Sequence, residues 1–198
     1  MRRSKKIILT AVLLALLVVL SRFLSIKTPL MKISFAFVPT MLCATWLGWK
    51  WTVLLNLLGD LIGATLFPTG PFFIGYTIST VTAGFIYGAL LYQKTGHSLT
   101  QKQLIMRAII ATVLVAIIVN MGLNTLWTSI TSGKAFWPLL GTRIVKQLLM
   151  VPIHVVTFIV LEKALRAPFN KYIRDRGSDE SDQQNSAVPE SAHANIDK

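Results

Sequence analysis

Long apolar runs that alternate with short polar links constrain this chain more than any other feature. A helix needs about 20 mostly apolar residues to cross a bilayer, and the runs at 7–26, 72–92 and 108–127 reach that length. Of the 198 residues, 53% are hydrophobic and only 14% are charged, which is too few charges for the surface of a soluble domain. We therefore predict an all-α integral membrane protein.

The spacing of the runs predicts a bundle of six transmembrane helices. No small-residue cleavage site precedes the first polar link, so the first run is interpreted as a retained helix and not as a signal peptide. Prolines, glycines and interfacial tryptophans separate the runs. The predicted helices cover residues 7–26, 35–47, 52–67, 72–92, 108–127 and 138–161. The transmembrane domain is expected at 1–168, followed at 169–198 by a polar tail that is expected to be disordered.

The distribution of basic residues predicts the orientation of the bundle. With a cytoplasmic N-terminus, fourteen of the twenty lysines and arginines fall on the inner side of the membrane. Cytoplasmic links of membrane proteins carry such an excess, so we expect both termini in the cytoplasm. The net charge of +12 follows largely from this topology and does not support nucleic-acid binding.

Asp60 is the one acid among residues 1–161, and it falls near the middle of the third predicted helix. An ionisable group at that depth is costly unless it is paired or hydrated, so it marks a candidate functional site. Asn56 lies one turn before it on the same face. Two interpretations remain open, a structural ion pair of Asp60 with Arg22 or Arg143, and contact with a ligand.

Two further helix faces carry polar side chains that lipid would not favour. Asn120, Asn124 and Trp127 follow an i, i+4, i+7 spacing, which places two amides and an indole on one face of the fifth helix. Arg143 and Lys146 share a face of the sixth helix, which Gln147 and His154 continue. Amides in a bundle either bond between helices or line a cavity, and two amides that end in a tryptophan favour a cavity.

The outer half of the predicted bundle therefore combines basic and aromatic side chains. Its basic residues are Arg22, Lys27, Lys32, Lys134, Arg143 and Lys146. Its aromatic residues are Phe35, Phe67, Phe72, Phe73, Tyr76, Trp127 and Trp137. A flat, partly apolar, anionic ligand would suit such a site.

Other classes of chemistry lack their residues. The three histidines lie in different segments without ligand spacing, and Cys43 is the one cysteine, so no metal site is predicted. The sequence has no Walker motif, dinucleotide-binding glycine pattern or nucleophile elbow. We therefore expect no cofactor, no enzymatic activity and no ATP hydrolysis by this chain.

Pairs of small residues four positions apart mark candidate helix contacts. Ala11 and Ala15 form such a pair on the first helix, while Gly59 with Gly63 and Gly84 with Gly88 do so on the third and fourth. This spacing lets two helix backbones approach closely.

The basic N-terminal patch, the paired alanines and the six helices resemble the S components of energy-coupling factor (ECF) vitamin transporters. Within that family, residues 21–35 and 67–72 look like the folate-specific members. The resemblance implies a subunit that captures a vitamin at the outer face. It also implies partners, namely a membrane coupling (T) subunit, contacted by Ala11 and Ala15, and two ABC ATPases.

The same resemblance assigns parts of folate to candidate residues. The pterin ring would meet Asp60, Asn120 and Asn124, and the carboxylates of the glutamyl tail would meet basic side chains. The ring-contacting candidates are Phe35, Phe67, Pro68, Tyr76 and Trp127. The carboxylate candidates are Arg22, Lys32, Arg143 and Lys146.

One geometric conflict accompanies these assignments. Arg22 follows Ala15 by seven residues, which puts both on nearly the same face of a straight helix, although one is assigned to the cavity and the other to a partner surface.

Three alternatives stay open at this point. The chain could be an S component for another vitamin, such as thiamine or riboflavin. An intramembrane enzyme would need carboxylate or histidine clusters, against which Asp60 as the single intramembrane acid argues. A membrane scaffold without cargo would leave the basic and aromatic outer half unexplained.

Overall fold

The structure is a computed structural model. It describes residues 3–22, 25–27, 32–68, 72–92, 101–133 and 135–186.

Helices account for most of the described residues. Their bounds are α1 Arg3–Arg22, α2 Phe37–Leu47, α3 Trp49–Leu66, α4 Ile74–Leu91, α5 Gln101–Leu114, α6 Asn124–Ser132 and α7 Phe136–Ser186. A π-helical segment, Val115–Leu123, joins α5 to α6 without a break, so the described helices form six rods.

A short antiparallel hairpin stands where the first predicted helix was expected to end. Its strands β1 (Ser25–Lys27) and β2 (Lys32–Ser34) pair with Ile26 opposite Ile33. The expectation that helix extends to residue 26 is therefore wrong, because the backbone groups of residues 25–27 bond across the hairpin.

The other helix ends differ from the predictions by a few residues or more. Gly48 alone separates α2 from α3, with a positive φ of 83° and Tyr92 close to the position that a β-carbon would take. The predicted turn at 48–51 is thus shorter, since Trp49 and the residues after it are helical. The fifth rod runs from Gln101 to Ser132, and α7 continues to Ser186, well past the predicted end at 161.

Four described helices are long and apolar enough to cross a membrane, namely Arg3–Arg22, Ile74–Leu91, Lys102–Ser132 and Phe136–Ala164. The apolar helix α2 is shorter, and the continuous helix α3 carries three strongly polar residues, Lys50, Asn56 and Asp60. The helical, membrane-type architecture agrees with the prediction, while the orientation of the termini stays a prediction.

Of the described residues, 3–159 belong to one compact unit and 160–186 to a second. The division of the chain after residue 168 stays a prediction, and residues 187–198 of the expected tail lie outside the described residues. The buried core of the first unit includes Met41, Tyr87, Leu91, Leu104, Ala108, Ala111 and Phe158.

The paired glycines of α3 and α4 lie where helices approach closely. A β-carbon at Gly59 would contact Leu17 of α1, and one at Gly88 would overlap the backbone of Trp49 on α3. Such close approach increases van der Waals contact between rods in a membrane. The predicted glycine contacts are confirmed, and α3 packs between α1 and α4.

Candidate functional site

The first compact unit encloses a cavity of about 390 Å³, a volume in the range of small-molecule sites. All six rods and the hairpin contribute to its wall. The polar lining residues are Ser21, Arg22, Ser34, Thr40, Asn56, Asp60, Thr80, Tyr87, Thr112, Asn120, Lys146, Gln147 and His154. The remaining lining residues are Leu17, Ala36, Phe37, Gly59, Ala83, Val115 and Met150.

Asp60 faces this cavity from α3. The Thr77 hydroxyl donates to its Oδ2 at 2.7 Å, which satisfies one oxygen of the carboxylate. Within the described part of the chain, Oδ1 has no hydrogen-bond partner. The carboxylate can therefore accept from a ligand that carries N–H groups. Its hydrogen-bond partner Thr77 is neutral, and the alternative of an ion pair with Arg22 or Arg143 stays a prediction.

Arg22 brings a positive charge to the same cavity from the end of α1. A β-carbon on Gly63 would overlap its guanidinium, so the side chain lies directly against α3. Ala11 and Ala15 are exposed on α1. The long side chain of Arg22, at the last helical residue, reaches across to the neighbouring helix, so its place at the cavity is compatible with an exposed Ala15; the coupling role of Ala15 stays a prediction.

Asn56 links three helices by hydrogen bonds in the wall of the cavity. Thr40 of α2 donates to Asn56 Oδ1 at 2.9 Å, and Asn56 Nδ2 donates to the Thr80 carbonyl of α4 at 3.0 Å. Buried amides are stable when their groups are bonded in this way. The wall around Asp60 is therefore held by side-chain hydrogen bonds as well as by apolar packing.

The wall formed by α5, the π-helical segment and α7 contributes amides, a lysine and the ring of His154. Asn120 lies in the π-helical segment, and Lys146 and Gln147 lie on α7. About two turns beyond them on α7, His154 stacks on Phe37 of α2, with ring centroids 3.9 Å apart. This pair presents a flat aromatic surface to the cavity.

Four of the predicted substrate-binding residues line the cavity, namely Arg22, Asp60, Asn120 and Lys146. The predicted stripe on α7 reaches it through Lys146, Gln147 and His154. Lys32 is described only as a backbone position in β2.

The predicted aromatic contacts lie elsewhere. Trp127 donates from Nε1 to Ser79 Oγ at 3.1 Å, and its ring contacts Phe73, which also contacts Tyr76. These three rings pack on one another between α4 and α6. Phe35, Phe67 and Pro68 are exposed and are not among the lining residues.

Two other predicted residues, Asn124 and Arg143, bond to the part of the wall that carries Asn120. Asn124 donates to Asn120 Oδ1 at 3.3 Å. Arg143 donates to the Asn120 carbonyl at 3.1 Å and to Thr128 Oγ1 at 2.6 Å. Neither residue is among those that line the cavity. The Asn124 side chain bonds along its own rod, and the Arg143 side chain bonds from α7 to that rod.

Several lining residues were not singled out as binding residues from the sequence. Phe37, Tyr87 and Thr112 carry no signal in an apolar helix that distinguishes them from packing residues. Asn56 had a signal, since it precedes Asp60 by one turn. His154 had one as well, since it continues the polar face of α7.

In keeping with this geometry, comparison with known proteins identifies a family. The family profile described as "ECF transporter, substrate-specific component" matches residues 5–162. The folate transporter FolT of Clostridium novyi is 33% identical over 156 residues, which cover 79% of this chain and 87% of that protein. FolT of Leuconostoc mesenteroides is 38% identical over 157 residues, covering 77% and 81%.

A solved structure gives the same result in three dimensions. The crystal structure of FolT bound with folic acid superposes with a TM-score of 0.71 at 34% identity, covering 81% of this chain and 93% of that one. The resemblance inferred from the sequence is confirmed, and the family is one of transporter subunits and not of enzymes. This chain therefore belongs to the substrate-specific components of ECF transporters.

Proposed function

We propose that this chain captures folate in the 390 Å³ cavity and presents it for uptake. The observation that carries the proposal is the combination, in one cavity, of an acid, Asp60, with two basic side chains, Arg22 and Lys146. Folate needs both, because its pterin carries N–H donors and its glutamyl tail carries two carboxylates. The FolT relatives, one of them solved with folic acid, support the same ligand.

The lining residues suggest how the ligand is oriented. Asp60 Oδ1 accepts from the aminopyrimidine edge of the pterin, and Asn120 donates to one of its acceptors. The stacked pair of Phe37 and His154 gives the rings an aromatic surface. Arg22 and Lys146 receive the carboxylates, where a charge-assisted hydrogen bond is about twice as strong as a neutral one.

Uptake requires partners beyond this chain. Ala11 and Ala15 are small and exposed on α1, which suits close approach by a helix of the membrane coupling subunit. Two ABC ATPases would supply the energy, since this sequence has no Walker motif. Folate would enter from the outer face, with both termini in the cytoplasm.

A ligand panel tests the substrate. Purified protein in detergent is titrated by calorimetry with folic acid, with pteroic acid, which lacks the glutamyl tail, and with riboflavin and thiamine. Folic acid is expected to bind tightest, pteroic acid more weakly, and the other two without measurable heat. Tighter binding of riboflavin or thiamine would assign the chain to another vitamin, and Asp60→Asn, which should weaken both folic and pteroic acid, is the matched site variant.

A further inference from the structure

Arg143 closes a ring of hydrogen bonds on the rod that carries Asn120. Its Nη1 donates to the Asn120 carbonyl at 3.1 Å, and its Nη2 donates to Thr128 Oγ1 at 2.6 Å. The Thr128 hydroxyl donates in turn to the Asn124 carbonyl at 2.6 Å, and Asn124 Nδ2 donates to Asn120 Oδ1 at 3.3 Å. The guanidinium thus bridges two levels of one helix rod from the neighbouring α7.

The hydrogen bond from Arg143 Nη1 to the Asn120 carbonyl falls on an irregular part of that rod. Asn120 lies in the π-helical segment Val115–Leu123, where the Asn124 N–H bonds back to the Val119 carbonyl. The Asn120 carbonyl also accepts from the Thr125 hydroxyl at 3.2 Å. π-helical turns are rare and are frequently found at functional sites. One extra residue in a turn rotates the side chains that follow by about 100°, so a return to α-helix would change the direction of Asn120.

The side chain of Asn120 is oriented by the same ring. Its Oδ1 accepts from Asn124, and the residue lines the cavity, so its Nδ2 group is a donor that a ligand can use. Within the described residues, Nδ2 has no hydrogen-bond partner. Asn120 therefore offers a donor and Asp60 an acceptor to the same cavity, and the two residues suit a ligand that carries both kinds of group.

We propose that Arg143 is a positioning residue for substrate recognition, which holds Asn120 in its π-helical turn with Nδ2 toward the ligand, and does not itself bind the ligand carboxylates. The proposal rests on the proposed binding of folate. It replaces the direct carboxylate contact expected for Arg143 from the sequence, and it assigns the glutamyl tail to the cavity-lining Arg22 and Lys146.

A double-mutant cycle tests the proposal. Folic and pteroic acid are titrated into the wild type, Arg143→Met, Asn120→Ala and the double variant. Loss of one neutral hydrogen bond corresponds to about a 2- to 10-fold loss of affinity, so Arg143→Met should weaken both ligands by the same factor in that range. In the Asn120→Ala background, Arg143→Met should cost less than about twofold more.

Two variants make the outcome specific. Lys146→Met, on the same helix but in the cavity, should weaken folic acid much more than pteroic acid. Thr128→Val removes the other acceptor of Arg143 with little change in shape, so it serves if Arg143→Met does not fold, and it should also weaken both ligands equally.

The outcomes separate this inference from the proposed function. A loss for Arg143→Met that is larger with folic than with pteroic acid would overturn the positioning role, because it would show direct contact with the tail. Losses that multiply in the double variant, or unchanged affinities in Thr128→Val, would overturn it as well. Wild-type protein that binds neither ligand would overturn the proposed function and this inference with it.

Discussion

Arg22 ends α1, and its guanidinium lies against Gly63 on α3, in the space that a β-carbon would occupy. The guanidinium of Arg22 can therefore take this position in the cavity only because Gly63 has no β-carbon. Gly88 differs, because a β-carbon there would overlap the backbone of Trp49. The backbone cannot move without separating α3 from α4, whereas the end of an arginine side chain can turn away.

Gly63→Ala is therefore expected to impair binding more than folding. Displacement of Arg22 removes a charge-assisted contact, which corresponds to roughly a 10- to 100-fold loss of affinity for folic acid. The melting temperature should change little. Gly141→Ala is the matched control, since nothing lies within 4 Å of the added β-carbon. Calorimetry and thermal unfolding measure both quantities, and an equal loss of affinity in both variants would refute the role of Gly63.

At the scale of elements, α1 has two faces with different surroundings. Leu13 and Leu17 are buried against the bundle, and Ala11 and Ala15 are exposed. Small side chains on an exposed face permit close contact with another helix, and the cavity lies on the opposite side. Binding and coupling can therefore be separated by mutation of one helix.

The double substitution Ala11→Trp with Ala15→Trp should abolish folate uptake and leave binding by the isolated subunit unchanged. Two indoles would hold a partner helix away, and neither alanine is among the cavity-lining residues. Uptake of labelled folate by cells and calorimetry on purified protein provide the two readouts. Ala89→Trp, at an exposed position on α4, should retain uptake. Loss of binding together with uptake would show that these alanines pack inside the subunit.

At the scale of the whole molecule, many large apolar side chains of the described helices face outward, while Asp60, Asn56, Gln147 and other polar side chains line an internal cavity. Val12, Ile117, Leu148 and Val156 are each more than half exposed. An exterior of this kind suits lipid, where a helix gains nothing by hiding leucine or valine from its surroundings. The cavity is then the place where polar side chains can be stable within the membrane.

The orientation of this bundle is tested by labelling cysteines. Ala135→Cys and Lys102→Cys are placed singly in a Cys43→Ala background, at exposed positions expected on opposite sides of the membrane. An impermeant thiol reagent applied to intact cells should label residue 135 and not residue 102, because the excess of basic residues marks the cytoplasmic side. Labelling of residue 102 alone would reverse the predicted topology.

The sequence by itself determined the class of protein, the approximate positions of the helices and the family. Apolar runs of the right length identify membrane helices because lipid leaves the backbone few alternatives. Asp60 and Arg22 could be recognised as cavity residues from their cost in lipid, and the glycine pairs as helix contacts from their spacing. These are local properties, and each can be read from a few neighbouring residues.

Tertiary structure alone decided which polar and aromatic side chains meet in the cavity. Trp127 and Tyr76 pack on Phe73, whereas Phe37 and His154 form the aromatic wall. Arg143 and Lys146 lie one turn apart on α7, yet one bonds to the neighbouring rod and the other lines the cavity. The physical reason is that the direction of a side chain depends on how its helix is rotated about its own axis. That rotation is set by contacts between residues far apart in the sequence, and at Asn120 the π-helical turn changes it further.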